Sequence, residues 1–446
     1  MFKKYFISIF ITLALLVLIY SLFKSEIIYD GNRREFYSFY IILSLIFILI
    51  GIVLSYLKEK ITVIFSINLF AFLFTIYAFE FYASYLKTYR IDDLNIDIKS
   101  EIFKKKFGKN YDTRNIYDYF LSQKKINSNL KIDINTVNLL QYKQLEIIPL
   151  SGYSNSEVIL CNEFGYYKHI KTDRYGFNNV DSVWDDKKIN FVYIGDSFIE
   201  GYCQDEKNTI PYKLTKILRG SNINLGQGGA GSLQGYATLL EYLPENTQGI
   251  IWFITDNDID DLQKEILNKK LYRYLIEKSP YQNLISQQKK VDDTFNYVFK
   301  YSENRKKVII FKRFVKLSYT RSFIHSFIFK NNLTKIDQKN YDTDRLKYFV
   351  KIMENIKDLS LEKKINLYVI YLPTFNNYLD GKYINKDYEY IQNTLRRLNI
   401  EYLDINKEIF TLEKNPKDLF PFGFYGHYNN NGSDKISEAI FKFVVK

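Results

Sequence analysis

The run Ile189-Asn190-Phe191-Val192-Tyr193-Ile194 stops abruptly at Gly195-Asp196-Ser197-Phe198-Ile199-Glu200-Gly201. Six largely apolar residues closed by a glycine fit a buried strand that turns directly into a helix. The same unit recurs downstream. Ile223–Leu225 runs into Gly226-Gln227-Gly228-Gly229-Ala230-Gly231, and Gly249–Ile254 runs into Thr255-Asp256-Asn257-Asp258. Asn366–Leu372 is a further apolar run and Tyr402–Ile405 a shorter one, while helical spacing covers 207–218, 233–243 and 433–445. Strands that are apolar throughout and alternate with helices predict an α/β fold, a three-layer α/β/α domain with a mostly parallel sheet covered on both faces. In such sheets a site forms at the carboxyl ends of the strands.

Four of those ends carry chemistry. Ser197 follows a buried strand and opens a helix, which exposes its hydroxyl beside a helix N-terminus and suits a nucleophile; it also suits a plain N-cap. Backbone N–H groups of the Gly226–Gly231 turn, and the amide of Asn257, are candidates for holding an oxyanion. Asn257 equally fits an ordinary turn. Gly226, Gly228 and Gly231 also satisfy G-x-G-x-x-G, with Asp256 following, so a dinucleotide-binding Rossmann reading competes. Its strand is short and polar, however, and it leaves the first and last clusters unexplained. The last cluster is Tyr425-Gly426-His427-Tyr428-Asn429-Asn430-Asn431-Gly432. The chain has three histidines, His169, His325 and His427, and His427 is the one placed to take a proton from Ser197.

Gly-Asp-Ser, a glycine turn, Asn-Asp and a late His, in that order, resemble the SGNH (GDSL-type) hydrolase superfamily over 189–446. Thr172-Asp173-Arg174-Tyr175-Gly176-Phe177-Asn178-Asn179 resembles a lead-in of its membrane-anchored bacterial members. The resemblance implies Ser197 as nucleophile and His427 as base and then acid. It implies an oxyanion hole from Ser197, Gly229 and Asn257, with Asp196 supporting the turn. Cys161 and Cys203 sit where some relatives carry a pair. The family usually has an Asp three residues before the His, and here that position is Phe424. Asp404 and Asp418 lie upstream as substitutes. The implied activity is that of a serine esterase or O-acyltransferase on acyl esters, acetyl esters of cell-surface carbohydrate above all, supplied in the transferase case by a membrane acyl-donor protein. No cofactor or metal is implied. A catalytically weak glycan-binding or assembly subunit is the alternative that Phe424 favours.

The first 87 residues have another character. Tyr5–Phe23, Phe36–Leu57 and Ile61–Phe79 are uncharged runs near the length a helix needs to cross a bilayer. Lys3, Lys4, Lys58 and Lys60 face Lys24, Arg33 and Arg34 across the expected spans, a weak bias toward a cytoplasmic N-terminus. Three spans then put the large C-terminal part outside, in a periplasmic setting, as a multi-pass membrane protein. There a Cys161–Cys203 disulfide is permitted; otherwise the two are buried thiols. Glu80, at the end of the third run, is expected to be interfacial or bundle-facing. Residues 88–185 are polar and irregular, a linker and irregular N-terminal layer of the soluble domain, whose main part is 186–446, and 262–345 reads as a helical insertion. Arg305, Lys306, Lys307, Lys312, Arg313, Lys316, Arg321 and Lys330 gather in it, fitting either a solvated helix or one lying on anionic lipid.

Composition narrows the rest. Two cysteines exclude a disulfide-dense scaffold and a Cys-built zinc cluster. The net charge of +12 comes with a general richness in Lys, Asn, Ile and Tyr rather than with a binding motif, so no nucleic-acid partner is expected.

Overall fold

The computed structural model describes all residues except 29–30, 32–33, 90–95, 329–337, 379–382, 384 and 446, together with some further side chains. Arg33 and Lys330, and the side chains of Lys306 and His325, lie outside the described residues. The chain forms two compact units, one of Met1–Leu86 with Ile309–Ile328 and one of Lys87–Val308 with Phe329–Lys446.

The first unit is built on α1 (Phe2–Leu22), α2 (Arg34–Tyr56) and α3 (Glu59–Tyr89). Phe2–Ile28, Phe36–Tyr56 and Glu59–Tyr85 are long and apolar enough to cross a membrane. Their outward side chains are large and apolar, with Leu13, Leu49 and Phe70 all more than half exposed, the reverse of a water-soluble bundle. Lys3 Nζ donates to the carbonyls of Ser55 and Leu57 at 2.8 and 2.5 Å, closing the C-terminus of α2 with a cation.

The second unit centres on a five-stranded, all-parallel sheet. Its strands are β4 (Ile189–Ile194), β5 (Asn222–Asn224), β6 (Thr247–Thr255), β7 (Asn366–Leu372) and β8 (Glu401–Asp404), ordered β5-β4-β6-β7-β8. Period-two alternation divides their side chains between two cores. Val192, Ile194, Ile250, Trp252, Ile254 and Val369 face one way. Tyr193, Ile251, Phe253, Ile370 and Leu372 face the other. The first core is closed by α8 (Ser232–Tyr242), α10 (Lys269–Glu277) and α13 (Gln338–Lys363), the second by α7 (Ile210–Leu218) and α16 (Asn430–Val444). Both faces covered is what continuous apolar strands require.

Two further regions add to the domain. Residues 88–185 hold α4 (Ile96–Phe107), α5 (Ile116–Lys124) and a small sheet of β1 (Lys131–Ile132), β2 (Glu157–Ile159) and β3 (His169–Lys171). Leu139, Ile148, Leu150 and Phe177 from this stretch are buried in the first core. The stretch packs as a layer of the domain, and its apolar residues sit in irregular loops and show no periodicity. The helical stretch 262–345 divides likewise. Leu271, Tyr274, Val291 and Phe295 pack into the same core, whereas 309–328 belong to the first unit.

Candidate active site

Three of the chemically distinctive clusters stand at the carboxyl ends of β4, β5 and β6, and the fourth, with His427, lies in the loop that leads into α16. After β4 the chain has no room for a side chain at Gly195: a Cβ there would lie 2.6 Å from Ile199 Cγ1 and 3.1 Å from Phe253 Cβ. Asp196 accepts the N–H of Phe198 at 3.0 Å and the hydroxyl of Thr255 at 2.9 Å, which fixes the turn that presents Ser197 at the start of α6 (Ser197–Glu200). Burial raises the Asp196 carboxyl above its ordinary range. Thr255 Oγ1 also lies 2.7 Å from Asp258 Oδ1 and 3.0 Å from Asn257 Oδ1. One hydroxyl hydrogen cannot serve three acceptors. Burial, and then the charge of Asp196, push the Asp258 carboxyl well above its ordinary range.

The β5 turn is stitched to the one that presents Ser197. Asn224 donates to the Ile199 carbonyl at 2.7 Å and accepts the Gly226 N–H at 2.9 Å, and Gln227 N–H reaches the Gly195 carbonyl at 3.1 Å. The 172–179 segment braces both: Asn178 donates to the Glu200 carbonyl at 2.8 Å, and Asn179 exchanges two hydrogen bonds with the backbone of Asn224. Asp173, buried and raised by that burial, ties the segment together through the N–H groups of Tyr175 and Phe177 and the side chains of Asn179 and Trp184.

The dinucleotide reading meets a direct obstacle. Glu265 accepts the N–H groups of Gly231, Leu233 and Gln234 at 2.7–3.2 Å, so the chain's own carboxylate fills the start of α8 where a pyrophosphate would bind. Burial pushes that carboxyl up to about 7 against those N–H groups. Asp256 accepts from Thr374 N–H, Tyr383 and Asn385 at 2.6–2.7 Å and also from Tyr371 and Asn377, so it anchors the loop after β7 and offers nothing to a ribose. β5 is moreover an edge strand.

The structure brings Ser197 and His427 together: Ser197 Oγ lies 2.7 Å from His427 Nε2. Gly229 and Asn257 stand on the neighbouring β5 and β6 turns. Gly229 has φ +73°, and one amide hydrogen of Asn257 is given to Asp261 at 2.9 Å. His169 is elsewhere, between Glu157 and Tyr119 at 2.7 and 3.1 Å.

What orients His427 is a residue that the sequence did not single out. Glu163 Oε1 lies 3.0 Å from His427 Nδ1, and Glu163 Oε2 accepts the His427 backbone N–H at 2.7 Å. Asp404 instead caps a short helix and accepts from Tyr388, and Asp418 accepts from Asn415. Phe424 leaves the usual acid position to a ring beneath Lys99 Nζ at 6.0 Å. Gly426 makes the substitution possible: with φ +155°, a Cβ there would sit 2.7 Å from Glu163 Oε2. Burial alone would lower the His427 pKa, but the charge of Glu163, its hydrogen bond and the charge of Asp196 outweigh it, and the net shift is upward. The rings of Phe198 and Tyr202 flank the imidazole at 4.6 and 5.6 Å.

Cys161 and Cys203 form a disulfide with Cα atoms 5.0 Å apart. It joins the loop carrying Glu163 to the loop that follows Ser197. Glu163 and the two sulfurs lie within 4.8 Å of one another, but both sulfurs are committed to each other and are not thiolate ligands. On the esterase expectation that the sequence resemblance implies, removing the disulfide by Cys161→Ser with Cys203→Ser is expected to lower turnover of an ester substrate by up to about 10²-fold, the scale of a misplaced catalytic group. The loss should be smaller in a Glu163→Gln background, because both changes act through one contact. Unchanged turnover in the double-serine variant would show that the bridge does not position Glu163.

No family model matches the chain, and no curated protein matches it. Among solved structures, one match is the "putative lipolytic protein of G-D-S-L family from Desulfitobacterium hafniense DCB-2", at 13% identity and a TM-score of 0.31, covering 57% of this chain and 99% of that one.

Proposed function

We propose that this chain is a membrane-anchored serine enzyme of the SGNH type that cleaves or transfers acyl esters. One observation carries the reading: Ser197, His427 and Glu163 form a continuous hydrogen-bonded series at the carboxyl edge of a parallel sheet. With Nδ1–H donated to Glu163, the Nε2 lone pair faces the Ser197 hydroxyl, which is the tautomer a general base needs. Ser197 Oγ attacks the ester carbonyl carbon while its proton passes to His427 Nε2. The ester C–O bond breaks, and the same proton goes to the departing alkoxide, leaving acyl-Ser197. Water or a sugar hydroxyl then attacks the acyl carbon, gives its proton to His427, and Ser197 departs by recovering it. The N–H groups of Ser197 and Gly229 and the second amide hydrogen of Asn257 are assigned to the oxyanion.

The phenylalanine at 424 was the feature that favoured a non-catalytic glycan-binding subunit. With Glu163 on the imidazole, that support falls away. The disulfide favours an extracytoplasmic setting, and a cell-surface carbohydrate acetyl ester is the substrate class assigned here. The test is to incubate the detergent-solubilised protein with p-nitrophenyl acetate, with and without an oligosaccharide, and to follow nitrophenol and acetylated sugar by mass spectrometry. Nitrophenol without acetylated sugar indicates an esterase, and acetylated sugar a transferase. Neither product, across several acyl lengths, would overturn the enzymatic reading.

A further inference from the structure

Residues 309–328 leave the α/β domain and belong to the membrane unit. They comprise the end of α11 (Gln288–Val315) and all of α12 (Ser318–Ile328). Their attachment is specific. Glu80, fully buried on α3, accepts the N–H groups of Tyr319 and Thr320 at 3.1 and 2.8 Å and the Thr320 hydroxyl at 2.8 Å. A buried carboxyl on an apolar helix thereby finds donors at a helix N-terminus. Tyr77 donates to the Val315 carbonyl at 3.2 Å, its ring lies 5.3 Å from that of Phe314, and Phe79 lies 5.7 Å from Phe323. These contacts hold 314–323 level with residues 77–80, the last turns of the third span.

The outward face at that level is mixed. Phe311 is 67%, Val315 49% and Phe323 59% exposed. Lys312, Arg313 and Lys316 are exposed beside them and make no ion pair among the described residues. Exposed aromatic and aliphatic groups interleaved with uncompensated cations, at the end of a membrane span, suit the boundary between acyl chains and phosphates. The geometry points to a lipid-binding clamp. Segment 311–323 lies in the bilayer interface, with Phe311, Val315 and Phe323 in the acyl region and Lys312, Arg313 and Lys316 on anionic lipid phosphates. The occupant is the leaflet into which the chain's own third span emerges, and the inference rests on the membrane-anchored reading above.

The described chain has no free cysteine, so one introduced thiol is labelled uniquely. Val315→Cys, Leu412→Cys and Leu49→Cys, in the full chain, are labelled with bimane and reconstituted in phosphatidylcholine vesicles with and without phosphatidylglycerol. Leu412, 78% exposed in the α/β domain, reports water, and Leu49 reports the span. The Val315 label should be quenched by lipids carrying a shallow doxyl group well above the Leu412 label. The quenching should rise at least about twofold with phosphatidylglycerol, and lose that rise in high salt or in Lys312→Gln/Arg313→Gln/Lys316→Gln. Val315 quenched no more than Leu412, while Leu49 is quenched by deep doxyl groups, overturns the clamp and leaves the spans standing. Equal quenching in both vesicles overturns the recognition of anionic lipid. A Leu49 label out of reach of every doxyl lipid overturns the membrane reading and the clamp with it.

Discussion

Ser197→Ala is expected to reduce ester turnover by at least about 10³-fold while leaving the fold intact. The magnitude follows from what the hydroxyl does. Without it no acyl-serine forms, and what remains is acceleration from the oxyanion donors and substrate binding alone. The change removes one oxygen at the surface end of α6, where Asp196 already supplies the N-cap by accepting the Phe198 N–H, so helix and turn keep their anchor. Thermal unfolding should therefore shift by no more than a few degrees, in keeping with the loss of one part-buried hydrogen bond to His427. A serine-reactive fluorophosphonate should label the wild-type chain at Ser197 and fail to label the variant. His427→Ala should match Ser197→Ala within a small factor, because nucleophile and base act as a unit and their losses do not add. Equal turnover in wild type and Ser197→Ala would remove the acyl-serine route altogether.

How much of this site the sequence discloses depends on how each residue is held. The strand ends were legible because buried parallel strands are short, largely apolar runs bounded by turn residues: INFVYI, GIIWFI and NLYVIYL fit strands of a covered sheet, and Asn366–Leu372 is a strand to the residue. Once strands alternate with helices, the placing of Ser197 and Asn257 at one edge follows from topology, while His427 arrives there from the loop before α16. The ambiguity of the glycine turn was of another kind. Its spacing fits two ligands equally, and what separates them is a buried carboxylate at Glu265, an ordinary residue on a polar helix. The pattern fits an anion at the turn; only packing shows that the Glu265 carboxyl already occupies the start of α8. The 172–179 segment had a resemblance but no reason, and the reason is its clamp on Glu200 and Asn224. Residues 88–185 were hardest to place because loops that bury single apolar residues leave no period to detect.

Glu163 was illegible for a physical cause. It lies 264 residues from His427, in a loop with no regular structure. The usual acid is encoded three residues from the His and is fixed by a short turn; a distant one is fixed by tertiary structure, which no local spacing records. One signal was available. Glu163 follows Cys161 by two residues and Cys203 follows Ser197 by six, so a disulfide between them would bring an acidic residue next to the nucleophile turn. The Phe424 departure and the cysteine pair were two halves of one feature.

Glu163→Gln is the sharpest test of that feature, with an expected loss of roughly 10² to 10⁴ in kcat. Glu163 serves two donors with two oxygens: the His427 backbone N–H at 2.7 Å and the Nδ1–H at 3.0 Å. Gln has one acceptor oxygen. If it keeps the backbone N–H, its NH₂ faces Nδ1, which drives the ring to the tautomer with hydrogen on Nε2, and Nε2 then cannot accept from Ser197. If it flips, the imidazole is served and the backbone N–H is left against an NH₂ group. Either way, the negative charge that stabilises the imidazolium is gone. The pH dependence separates this from mere loosening. His427 is raised above its ordinary value, about 6.5, and only the neutral ring can take the serine proton. The acid limb of wild-type turnover should therefore lie above that value, with activity lost as pH falls through it. In Glu163→Gln the limb should move to lower pH, because the chief cause of the upward shift has been removed. Stability runs the opposite way. A raised pKa contributes stability that is fully present below the ordinary value and lost as pH rises through the folded one. Wild type should therefore lose thermal stability relative to Glu163→Gln over the same window in which its activity appears. A variant with reduced kcat but an unmoved acid limb would assign Glu163 to holding the loop and not to the charge on His427.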